Sequence, residues 1–75
     1  MNTYSFKIKS AKGAQLDKLY QELESIIEKY KDYGTTKIQR VPATDCILLI
    51  SNNLKLGTIL YRYDEFIITH MTNSS

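Results

Sequence analysis

QLDKLYQELESIIEKYKDY, residues 15–33, carries the strongest periodicity in the chain. Its apolar positions are Leu16, Leu19, Tyr20, Leu23, Ile26, Ile27 and Tyr30. They repeat the i, i+3, i+4, i+7 offsets without a miss, as one face of an α-helix requires. Glu22, Glu24 and Glu28 fall on the other side and read as its solvated face. Ser10 or Gly13 is the expected cap at the start. Gly34 is the expected left-handed C′ residue, because glycine has no Cβ to clash there. Lys29 and Lys31 suit the negative end of the helix dipole.

On the N-terminal side, Met1 to Lys9 alternates. Tyr4, Phe6 and Ile8 share one face, and Thr3, Ser5, Lys7 and Lys9 the other, which predicts a half-buried strand. On the C-terminal side the residues favour strands. Thr35–Val41 is polar and β-branched and stops at Pro42. Pro42–Asp45 predicts a turn, Cys46–Ile50 a buried strand, and Asn52-Asn53 a hairpin turn, since Asn tolerates positive φ. Gly57–Tyr63 and Phe66–Met71 read as two further strands around Asp64-Glu65. The expectation is an α+β fold in β-α-β-β-β-β order. One amphipathic helix packs on one face of a mostly antiparallel sheet of four or five strands. Residues 1–75 form a single domain, and the polar residues 72–75 a frayed tail.

This assignment leaves apolar surface over. With Asp64-Glu65 as a two-residue loop, Ile59, Tyr61, Tyr63, Phe66 and Ile68 share one face. Leu60 and Ile67, with Met71 behind them, lie on the other. One helix is roughly 10 Å across, and four strands are about 19 Å wide. A single helix therefore covers one face at most. The face left uncovered is expected to dock on something, with Ile59, Tyr61, Tyr63, Phe66 and Ile68 as the candidate contacts and Arg62 added to them. A small non-enzymatic protein-interaction module follows, regulating or inhibiting a larger protein or forming a homodimer. The competing expectation is a single-stranded nucleic-acid binder that stacks bases on Tyr4, Phe6, Tyr61, Tyr63 and Phe66. Against it, Lys7 and Lys9 alternate away from Tyr4 and Phe6, and no RNP-type motif is present.

Composition narrows the classes further. Ten basic against eight acidic residues leave a net charge of +2, too mild to imply nucleic acid or an anionic membrane by itself. Cys46 is the sole cysteine, so no disulfide is expected and a reducing, cytoplasmic setting fits. No secretory leader and no membrane-spanning run is read from the sequence. Cys46 and His70 would have to lie within hydrogen-bond reach to form a nucleophile–base pair, and no third group is evident. No cofactor, no metal and no catalytic residue is expected. Gly13, Gly34 and Gly57 are isolated and form no phosphate-cradling loop.

Overall fold

The computed structural model describes the backbone of residues 3–74 and the side chains of residues 3–69. Strand β1 (Thr3–Ser10) leads into helix α1 (Leu16–Lys29), and a 3₁₀ turn (Lys31–Tyr33) follows. Strands β2 (Thr36–Val41) and β3 (Cys46–Ser51) flank a second 3₁₀ turn (Pro42–Thr44). Helix α2 (Leu56–Tyr61) and strand β4 (Phe66–Ser74) complete the fold. The sheet has four strands in the order β2-β3-β1-β4, and every neighbouring pair is antiparallel. This is the split βαβ, or ferredoxin-like, connectivity. The α+β class and the main helix on a four-stranded antiparallel sheet are as expected.

The segment expected as the strand Gly57–Tyr63 is instead helix α2. Two periods compete in it. Ile59, Tyr61 and Tyr63 alternate as in a strand. Leu56, Ile59, Leu60 and Tyr63 recur as on a helix face. Burial decides between them, since Leu56 and Leu60 are both fully buried. The β-branched residues Thr58 and Ile59 are weak helix formers, so tertiary contact holds this helix rather than propensity.

The second helix also resolves the width argument. The core joins Phe6, Ile8, Ile47, Leu49 and Phe66 from the sheet with Leu19, Leu23 and Ile26 from α1 and Leu56 and Leu60 from α2. Both helices therefore pack on the same face, α1 over β2 and β3, and α2 toward β4. By alternation and register, the opposite face carries Leu48, Ile50 and Ile67 among Ser5, Lys7, Lys9, Lys37, Gln39 and Thr69. It is mixed rather than greasy. The expected surplus shrinks because Ile59 and Tyr61 belong to α2 rather than to a sheet strand, and Phe66 lies in the core.

Three local expectations also change. Helix α1 begins at Leu16 after Gln15, with no side-chain cap. Ser10 Oγ instead accepts the N–H groups of Lys12 and Ala14, at 3.2 and 3.0 Å, and shapes the loop before the helix. Gly34 ends the 3₁₀ turn rather than α1, at φ 152° and ψ 175°. The backbone of Thr72–Ser74 runs alongside β1, opposite Thr3–Ser5, rather than ending as a free tail; Ser75 lies outside the described residues. The Pro42–Asp45 turn forms as expected, with Asp45 in the left-handed region at φ 53°.

Asn52 and Asn53 do not make a positive-φ hairpin turn. Their side chains act as staples. Asn52 Oδ1 accepts the Thr35 N–H at 2.8 Å. Asn53, only 3% exposed, donates from Nδ2 to the Tyr30 carbonyl at 3.1 Å and accepts the Lys55 N–H at 3.0 Å. Its own N–H donates to Ser51 Oγ at 2.9 Å. One side chain thus joins the end of α1 to the start of α2. Asn53→Ala leaves the Tyr30 carbonyl without this donor and removes the local turn bond. A loss of about 2 kcal/mol is expected, read by urea denaturation. Asn53→Asp keeps the acceptor for Lys55 but sets a buried carboxylate oxygen against the Tyr30 carbonyl, so it is expected to be no more stable than Asn53→Ala.

Candidate functional site

A cleft of about 360 Å³ opens between the two helices where Asn53 joins them. Tyr30 and Tyr33 form one wall; Leu54, Lys55, Thr58, Ile59 and Arg62 form the other. The first wall exists because α1 ends at Lys29 and the 3₁₀ turn carries Tyr33 outward. The second exists because Leu54 precedes α2 and falls outside its buried stripe. Tyr33 is 53% and Leu54 70% exposed, so two of the large exposed hydrophobic residues line this cleft.

The rings are held in place. Tyr30 and Tyr33 lie 6.4 Å apart between centroids. Lys55 Nζ sits 4.2 Å from the Tyr33 centroid and bridges the walls. Such a contact gives about 0.5–1 kcal/mol at an exposed site and limits ring motion. Lys55 and Arg62 supply positive charge, and no carboxylate is among the lining residues. Nearby, the Lys31 ammonium is raised above its ordinary pKa by a 2.8 Å hydrogen bond to Glu28 and by the opposite charge of that carboxylate. The pair is exposed, so it occupies Glu28 without adding notable stability.

The residues expected to bind a partner are dispersed. Ile59 and Arg62 line the cleft. Tyr61 is not among the lining residues and is 62% exposed. Phe66 lies in the core at 8% exposure, with the Tyr63 ring 5.5 Å away. Ile68 is half-buried against the same core. They share no sheet face, because Ile59, Tyr61 and Arg62 belong to α2 and its C-terminal end. The sequence reading missed Tyr30, Tyr33, Leu54, Lys55 and Thr58. The one available signal was an apolar Leu54 placed between polar Asn53 and Lys55.

The stacking platform of a single-strand binder is not assembled either. Phe6 and Phe66 are buried beneath the helices, and Tyr4 is packed against the core. Among the described residues the open sheet face presents lysines and aliphatics without an aromatic ring. Cys46 is 2% exposed, with Sγ 3.1 Å from the Thr44 carbonyl. Its backbone lies two strands from His70 and three residues along, or about 14 Å. The His70 and Met71 side chains lie outside the described residues. Among the described residues no group of three or more His, Cys, Asp or Glu is placed to hold a metal, and no helix is long and apolar enough to cross a membrane.

In comparisons with protein-family models, curated proteins and solved structures, nothing matches the chain. The split βαβ arrangement by itself hosts unrelated functions, and the cleft is the feature particular to this chain.

Proposed function

We propose that this chain is a non-enzymatic interaction module that captures a segment of a larger protein in the cleft between α1 and α2. The segment has apolar side chains flanked by carboxylates. The observation that carries this reading is that exposed Tyr33 and Leu54 line one cleft whose charged members, Lys55 and Arg62, are both cationic. Tyrosine and arginine, both present in this cleft, are among the residues that binding hot spots favour. The Asn53 staple and the Lys55–Tyr33 contact preform both walls, which lowers the ordering cost of binding. Regulation or inhibition of the larger protein is the role such a small binder fills.

The test is selection from a displayed random-peptide library against the folded chain, with Leu54→Asp and Arg62→Glu as parallel baits. Wild type is expected to enrich peptides combining Leu, Phe or Trp with Asp or Glu. Both variants lose that enrichment while keeping the far-UV circular dichroism of the wild type. Equal recovery by all three baits, or no enrichment by wild type, contradicts the reading.

A further inference from the structure

We propose that β4 pairs with the β4 of a second copy of this chain, antiparallel about a two-fold axis at Thr69, joining two four-stranded sheets into one. The argument starts from the two sheet edges, β2 and β4. Proteins guard exposed edges with charges, proline or bulges, because unpaired N–H and C=O groups are templates for another strand. Edge β2 is guarded: exposed Lys37 and Arg40 lie on it and Pro42 follows. Edge β4 is not. Its nine residues, FIITHMTNS, contain no Asp, Glu, Lys, Arg or Pro. Ile67 on it is 52% exposed. The register shift opposite Ser5/Phe6 leaves Phe66–His70 as a regular stretch.

The backbone bonds fix which residues are available. The Ala11 N–H donates to the Glu65 carbonyl at 2.8 Å. Bonded pairs alternate along an antiparallel ladder, so Lys9/Ile67 and Lys7/Thr69 are the bonded pairs with β1. The Phe66 N–H is taken by the Tyr63 carbonyl at 3.4 Å. The backbone groups of Ile68 and His70 then face outward. A two-fold axis at Thr69 sets Ile68 of one copy against His70 of the other, twice, with each pair exchanging N–H···O=C bonds. Thr69 meets its own symmetry mate at about 4.5 Å between Cα atoms, a favourable cross-strand pair. None of the cleft residues belongs to β4, so pairing along this edge leaves the cleft lining untouched.

The test is mass by light scattering across protein concentration, for wild type, Thr69→Lys and Thr69→Glu. Thr69 is exposed, and its side chain lies on the open face, so both variants keep the fold, as circular dichroism verifies. Wild type is expected to approach the dimer mass. Each variant places like charges directly opposite one another and stays monomeric at concentrations where wild type is dimeric. An equimolar mixture of the two restores the dimer mass, because only the mixed pair sets Lys against Glu. In wild type, the Ile68 and His70 amides gain protection from hydrogen exchange at least tenfold as concentration rises through the transition. A monomeric wild type, variants that remain dimeric, or Ile68 and His70 amides that exchange alike at all concentrations overturns the proposal.

Discussion

Gly34→Ala is expected to destabilise the domain by about 3 kcal/mol, a drop of roughly 12–24 °C in Tm for a domain of this size. Two independent reasons add. Gly34 sits at φ 152°, a region that side-chain-bearing residues rarely adopt. An added Cβ would also lie 2.6 Å from Asn52 Oδ1 and 2.7 Å from Asn53 Cα. The second neighbour is backbone and has nowhere to swing. Movement there pulls Asn53 away from the Tyr30 carbonyl, so the cleft opens as stability falls. Gly13 is the control. It has φ 71° with nothing within 4 Å of an added Cβ, so Gly13→Ala costs about 1 kcal/mol from backbone strain alone. A domain of 75 residues has about 4–11 kcal/mol of total stability, so the two variants should separate cleanly in thermal melts.

Leu60→Ala is expected to cost about 3 kcal/mol, whereas its neighbour Tyr61→Ala changes stability by less than about 0.5 kcal/mol. Leu60 is fully buried between α2 and the core, and truncation leaves a cavity that close-packed neighbours fill only partly. Tyr61 is 62% exposed. Were this segment a strand with Tyr61, Tyr63 and Phe66 on one packed face, Tyr61→Ala would be the damaging change. Urea denaturation of the pair therefore tests the secondary structure of residues 56–61 directly.

Helix α1 was legible because its apolar stripe extends over four turns, too long for a strand to mimic. Strand β1 was legible because Phe6 and Ile8 alternate against Lys7 and Lys9. Helix α2 was not, because LGTILY spans only six residues and satisfies both periods. That one misassignment set the sheet faces wrongly. It laid Ile59, Tyr61 and Tyr63 along a sheet face beside Phe66 and Ile68, and so made an apparent surplus there. The cleft was hidden for another reason. Tyr33 and Leu54 are far apart in sequence and neither belongs to an amphipathic pattern. They meet only because Asn53 ties the end of α1 to the start of α2, and Asn-Asn reads locally as a turn. The premise of a lone helix fails: a second helix shares the same face of the sheet, and the opposite face is mixed rather than apolar.

The most direct test of partner capture is an amide chemical-shift titration of the ¹⁵N-labelled chain with two capped pentapeptides, one alternating Glu with Leu and one alternating Lys with Leu. With the acidic peptide, saturable shifts are expected at Tyr30, Tyr33, Leu54, Lys55, Thr58, Ile59 and Arg62, and none with the basic one. Saturable shifts centred on Leu48 and Ile50 instead, equal responses to both peptides, or an unmoved spectrum would contradict the account.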